Sequence, residues 1–188
     1  MQTIDTQKAG LRKHMLALRR AMSIIEKEEA ERRMAKRLLA RAEVQRATTI
    51  CIYLSTSDEA DTLHVVEQLF RLEKTVVVPK AENMALSPYK ISSLNDVAPG
   101  SFGILEPISS CLRVLSSDID IFIVPCVAWD MRGFRLGYGK GYYDRLLRGI
   151  SVPRIGLAFD VQCLAEVPRT SYDVPVTHVV TETRTVSI

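Results

Sequence analysis

The sequence predicts an α/β protein: a three-layer α/β/α sandwich on a largely parallel sheet, preceded by two amino-terminal helices. Three observations predict it. Short, almost wholly apolar β-rich runs recur at 49–54, 75–78, 119–124, 154–159 and 176–180. Segments of helical periodicity fall between several of them, as expected of parallel strands covered on both faces. The first forty residues, by contrast, carry helical spacing alone. With 188 residues, 47% of them hydrophobic, the chain can bury one substantial core. It contains no internal repeat, low-complexity tract or linker-like break, so residues 1–188 are read as a single domain.

Each element has its own justification. Leu11, Met15, Leu18 and Met22 form the apolar stripe of the first helix. Ser23 and Glu26 match a capping box, opening a second helix that is expected to reach about Ala42 with Ala30, Met34 and Leu38 inward. Thr49 to Leu54 is the first strand, followed by the polar loop STSDEAD. Thr62 to Lys74 reads as a helix through Leu63, Val66, Leu69 and Phe70, and Thr75 to Val78 as a strand stopped by Pro79. Leu86 to Ser92 is expected on a sheet edge because Pro88 cannot donate to a ladder. Ile119 to Val124 is the clearest buried strand, Tyr142 to Arg148 a short helix, and 154–159 and 176–180 complete the sheet.

Composition excludes several classes. The net charge of +3, from 25 basic and 22 acidic residues, is no nucleic-acid signature, and the basic first helix has no interleaved aromatics. No apolar run approaches the roughly 20 residues of a membrane span. The start, MQTIDTQKAG, lacks the apolar core of a signal peptide, so a cytoplasmic location is expected. Cys51, Cys111, Cys126 and Cys163 form no C-x-x-C pair, and His14, His64 and His178 are scattered. Free thiols are therefore the default, and a zinc site is disfavoured.

The densest chemistry is Arg135 to Asp144, RLGYGKGYYD. Gly137, Gly139 and Gly141 free the backbone either for a tight turn or for amides that approach an anion. Lys140 would add a full charge to such a phosphate cradle, and Arg135 a guanidinium fork suited to phosphate. The spacing fits neither a P-loop nor a dinucleotide fingerprint. Tyr142 and Tyr143 point about 100° apart on a helix, so one ring can enter the core while the other faces a ligand. Asp144 either favours the helix dipole or holds Mg²⁺, with Asp173 as a second carboxylate or simply a turn residue. On the first helix Lys8, Arg12 and Arg19 fall within a band of about 40° that flanks the apolar stripe. They are either a solvated face or a row overhanging a cleft. Glu59, after the first strand, either serves its loop or points into that cleft, since ligands in such folds bind beyond strand carboxyl ends.

Together these pieces resemble the 5-formyltetrahydrofolate cyclo-ligase family, also called 5,10-methenyltetrahydrofolate synthetases. The resemblance is carried by Lys8-Ala9-Gly10-Leu11-Arg12, by Tyr53-Leu54-Ser55 with Glu59 downstream, and by FGILEP from Phe102 to Pro107. It continues through the long signature from Val124 to Asp144, Leu157 to Gln162, Asp173-Val174-Pro175 and Thr181-Glu182. It implies conversion of 5-formyltetrahydrofolate, with or without a polyglutamate tail, to 5,10-methenyltetrahydrofolate by a monomer using ATP and Mg²⁺. ADP and phosphate are released after a phosphorylated formyl (imidate) intermediate. It implies further that Lys8, Arg12 and the segment from Arg135 to Asp144, including Gly137, Gly139, Lys140, Gly141 and Tyr142, contact the nucleotide. Lys140, Arg135 and Tyr143 would be catalytic, Leu54, Glu59, Tyr142 and Tyr143 would contact the folate, and Asp144 and Asp173 would hold the metal. Arg19 matches no stated family position and rests on geometry alone. Cys126, Trp129 and Tyr138 depart from the family pattern without removing a charged group. A silent nucleotide- or folate-binding relative is the alternative, and it would be expected to lack Lys140, Arg135 or one of the aspartates.

Overall fold

The computed structural model describes residues 3–100 and 103–188; Phe102 of the FGILEP signature lies outside the described residues. Helix α1 (Ile4–Arg20) opens on Thr3, whose side chain accepts the Thr6 N–H. Helix α2 (Ile24–Leu39) opens on the expected capping box, with Ser23 Oγ accepting the Glu26 N–H at 3.2 Å and Glu26 Oε2 accepting the Ser23 N–H at 2.9 Å. It stops short of Ala42. Arg41 is extended and begins a separate helix α3 (Ala42–Arg46), which the periodicity alone merged with α2. The chain then runs through β1 (Thr49–Ile52), α4 (Leu63–Arg71), β2 (Thr75–Glu82), β3 (Ala85–Ile91), β4 (Val97–Pro99), β5 (Leu105–Pro107), β6 (Ile121–Pro125), β7 (Ala128–Asp130) and β8 (Arg135–Leu136). Helix α5 (Tyr142–Leu147), β9 (Arg154–Leu157), β10 (Cys163–Leu164), β11 (His178–Val180) and β12 (Thr185–Ser187) complete it.

The main sheet has seven strands in the order β12-β11-β9-β6-β1-β2-β3. Its five central strands are parallel, and antiparallel β3 and β12 close the edges. Pro79 does not end β2. It faces Pro88 across the β2–β3 hairpin, and two facing prolines fit where a residue pair exchanges no ladder hydrogen bonds. Asn83 and Met84, both at positive φ, make the tight turn whose twist suits a hairpin.

The two faces bury different side chains because neighbouring strand residues alternate. Ile50 and Ile52 of β1, with Ile121 and Ile123 of β6, pack under α2, α3 and α4. Cys51, Phe122, Val124 and Trp129 pack on the other face with Leu147 of α5. Burial pushes the Cys126 thiol up to about 12, so it behaves as a small core residue. A second sheet, β10-β7-β8, carries α1 on it through Met15, Val127, Ala128, Leu136 and Val167. Among the described residues no helix is long and apolar enough to cross a membrane.

His178, at the start of β11, lies 2.9 Å from Thr177 Oγ1 and 3.6 Å from Glu43. Burial, helped by the charge of Arg41, lowers its pKa below 6.5 despite Glu43. A histidine held neutral in the fold contributes stability above its unfolded pKa and loses it as pH falls. The melting temperature is therefore expected to drop between about pH 7 and 5 less steeply in His178→Gln than in the parent. Parallel melting curves at those pH values check this.

Candidate active site

The row of cations on α1 is not a solvated face: its members meet Asp173, Gly137 and Tyr138. Because α1 lies on the β10-β7-β8 sheet, the band beside its apolar stripe faces the segment that leaves β8. Lys8 Nζ donates to both oxygens of Asp173, at 2.8 and 2.7 Å. Arg12 Nε donates to the carbonyl of Gly137 at 2.8 Å. Arg19 donates from Nη2 to the Tyr138 hydroxyl at 3.0 Å. Eleven residues at 1.5 Å each spread these contacts over about 16 Å of the helix. Lys13 is exposed, and Arg20 pairs with Asp58 outside this row.

The glycine loop is shaped by two residues that an L side chain would strain. Gly139 has φ +98° and Gly141 φ +64°, and a Cβ on Gly139 would stand 3.2 Å from the Arg12 guanidinium. Gly141 precedes α5, whose first helical bond is Arg145 N–H to the Gly141 carbonyl at 3.2 Å. The amides of 142–144 come before that bond and have no helical acceptor. Lys140 is exposed and makes no ion pair among the described residues. Tyr142 lies beneath Arg145, 5.2 Å from its guanidinium carbon, and Arg145 also donates to the carbonyls of Lys140 and Met84 at 3.0 and 2.6 Å. This arginine ties the loop to the β2–β3 turn. Sequence reasoning missed it, although a positive residue one turn after a glycine N-cap was the available signal. Tyr143 is partly accessible yet densely surrounded by both core clusters, and burial foremost raises its hydroxyl well above the ordinary value. Its hydroxyl therefore keeps its proton near neutral pH.

Two carboxylates bear on the 170–175 segment. The Asp144 Oδ1 accepts the Val174 N–H at 3.0 Å and lies 3.3 Å from Arg135 Nη2. Arg135 is buried and also donates to the Val174 carbonyl at 2.6 Å. Asp173 accepts the Thr170 N–H and hydroxyl besides Lys8. Burial alone would raise its carboxyl, but Lys8 and Thr170 outweigh that and hold it below 3.8. Asp173 and Val174 precede β11, so this carboxylate does not come from a loop beyond a strand carboxyl end. Among the described residues no group of three or more His, Cys, Asp or Glu is placed to hold a metal ion. Two carboxylates do suffice for Mg²⁺ when phosphate oxygens complete its shell. Asp173 holds the Lys8 ammonium with both oxygens, so its donors suit a hard cation.

At the other end Leu54 is buried and Glu59, 6% exposed, lies in the loop after β1. Glu59 Oε2 accepts the Thr56 N–H and hydroxyl at 2.9 and 3.1 Å. Asp61 caps the first turn of α4 by accepting the Leu63 N–H, so Glu59 is not needed there. Burial first, then the Glu59 charge, raises the Tyr138 hydroxyl against the pull of Arg19. Glu59, Tyr138 and Arg19 thus form one charged corner. Other signature residues hold the scaffold: buried Asp130 accepts the N–H groups of Arg132, Phe134 and Val167. Gln162 bridges Phe159 to Cys126 and Val127, and Glu182 accepts the Asp160 N–H.

The 5-formyltetrahydrofolate cyclo-ligase family model matches residues 4–182. The 5-formyltetrahydrofolate cyclo-ligase of Escherichia coli K12 is 33% identical over 175 residues, covering 88% of this chain and 95% of its own. That of Haemophilus influenzae is 29% identical over 185 residues, covering 92% and 96%. The solved structure of Aquifex aeolicus 5,10-methenyltetrahydrofolate synthetase superposes with a TM-score of 0.86 at 33% identity, covering 96% of this chain and 92% of that one. The Mycoplasma pneumoniae synthetase gives 0.76 at 25% identity, covering 93% and 98%.

Proposed function

The chain belongs to the 5-formyltetrahydrofolate cyclo-ligase family, and from that premise we propose how its residues serve the ATP- and Mg²⁺-dependent closure of 5-formyltetrahydrofolate to 5,10-methenyltetrahydrofolate. The reaction releases ADP and phosphate. A formamide carbonyl is a poor electrophile and its oxygen a poor leaving group. Transfer of the γ-phosphoryl group to the formyl oxygen gives a phosphorylated imidate. The folate N10 then attacks the formyl carbon, and phosphate leaves as the ring closes.

The observation that carries the assignment of parts is the row along α1. Its amino-terminal end meets Asp173, its middle the carbonyl of Gly137 in the glycine loop, and its carboxyl-terminal end Tyr138 at the Glu59 corner. The reading places the nucleotide phosphates at Lys8, Arg12 and the 137–141 loop, and the folate at Glu59 and Leu54. The formyl group would lie between them, near Tyr143. Phosphoryl transfer needs positioning and charge neutralisation more than covalent help from the protein. Lys140, exposed and without an ion pair among the described residues, supplies a mobile charge to the γ-phosphoryl. The amides of 142–144 add fixed donors. Arg135 keeps Asp144 aimed. Tyr143 donates near the formyl group without taking a proton, and Tyr142 walls the loop. Asp144 and Asp173 would hold Mg²⁺, which when bound neutralises phosphate charge; Lys8 would then turn from Asp173 to the nucleotide.

Two measurements test these assignments. Purified protein with Mg·ATP and 5-formyltetrahydrofolate is expected to show the near-ultraviolet absorbance of the methenyl product, and to lose it when ATP is omitted. A flat trace from folded protein overturns the reaction. Gly139→Ala forces an L residue into a left-handed region, a strain of about 1–3 kcal/mol if the loop keeps its shape. The KM for ATP should rise roughly 5- to 100-fold, while that for the folate changes little. Equal rises in both would place the loop elsewhere.

A further inference from the structure

We propose that Arg19 is a folate-binding residue that selects the 4-oxo form of the pterin ring by donating from Nε to its C4 carbonyl. The inference rests on the folate reading of the Glu59 corner and adds a residue to it. Arg19 is 3% exposed, yet it forms no ion pair among the described residues. Its recorded hydrogen bond runs from Nη2 to the Tyr138 hydroxyl, and its Nε–H is buried with no acceptor. A buried guanidinium donor without a partner is costly and calls for an acceptor from outside the chain.

Glu59, also buried, uses Oε2 for Thr56, and its carboxylate faces the Tyr138 hydroxyl. The corner therefore sets a carboxylate acceptor beside a guanidinium donor that is unfilled among the described residues. An ionised carboxylate can only accept, so Glu59 pairs with the 2-amino and N3–H donors of a pterin. The next group along that edge is the C4 carbonyl, which only accepts. The donor provided for it is Arg19. Tyr138 holds the guanidinium by its other nitrogen and links this end to the nucleotide loop. In a 4-amino analogue the same position carries a donor, so two donors would face each other, and such mismatches are strongly rejected in buried sites.

Equilibrium binding without ATP tests this, titrating 5-formyltetrahydrofolate and its 4-amino analogue into the parent, Arg19→Met and Arg19→Lys, each first shown to fold by thermal melting. Losing a hydrogen bond from a charged donor should weaken binding of the 4-oxo ligand about 10- to 100-fold in Arg19→Met. Binding of the 4-amino analogue should change less than about threefold, so selectivity collapses. Arg19→Lys keeps the charge without the planar fork and guards against a folding failure of the longer change; it should show the same selective loss, smaller in size. Equal loss for both ligands, or none for either, overturns the assignment of Arg19. Failure of the parent to bind 5-formyltetrahydrofolate overturns the folate reading itself, and Arg19 with it.

Discussion

Lys140→Ala is expected to lower kcat/KM by about 10²- to 10⁴-fold with the fold untouched. The reasoning starts from position. Lys140 lies between two left-handed glycines, exposed, with no ion pair among the described residues. Surface side chains of this kind contribute within about 0.5 kcal/mol of stability, so the melting temperature should shift by no more than a degree or two. In the reaction, however, that ammonium meets charge moving onto the transferred phosphoryl group, where one well-placed donor contributes about 3–4 kcal/mol or more. The fall should appear mainly in kcat, because the interaction strengthens in the transition state. Steady-state kinetics beside a thermal melt decide it. A variant that turns over normally would remove Lys140 from the chemistry.

Arg135→Met should behave differently, damaging stability and activity together. Its guanidinium is buried, holds Asp144 at 3.3 Å and donates to the Val174 carbonyl at 2.6 Å. Removing one partner of a buried pair strands the other charge, at a cost of about 3–5 kcal/mol. Asp144 is a quarter exposed, so about 2–4 kcal/mol is expected here. For a domain of this size that lowers the melting temperature by about 5–15 °C. Activity should fall as well, because Asp144 loses the group that aims it. Asp144→Asn is the matching control: it keeps the Val174 contact and much of the volume, so it should lose activity with a smaller drop in melting temperature. A destabilised Arg135→Met that retains full kcat at a permissive temperature would reduce Arg135 to a scaffold residue.

The two arginines of the row show how far reading the chain reaches. The band of Lys8, Arg12 and Arg19 beside the apolar stripe was legible because helical geometry turns spacing into direction. All three meet distant partners, Asp173, Gly137 and Tyr138. Their partners were not legible, since Asp173 and Gly137 lie more than a hundred residues away. Arg145's contact to the Met84 carbonyl was not legible either, since it depends on a hairpin turn brought close from 61 residues earlier; only its contact to Lys140 is local. The small β10-β7-β8 sheet left no periodic signal, its strands being two or three residues long.

The sequence by itself determined the sheet-forming runs, the capping box at Ser23, the edge position of the Pro88 strand and the chemistry of the RLGYGKGYYD loop. Each is a local matter of backbone freedom, side-chain period or hydrogen-bonding capacity. Tertiary structure alone decided that β2 passes through Pro79, that Arg135 is committed to Asp144, and that α1 rests on the small sheet rather than the large one. The reason is physical: those outcomes depend on which distant surface covers a given stripe, and burial free energy is additive in area but blind to sequence separation. A strand register or an ion pair is fixed only when the whole core closes around it.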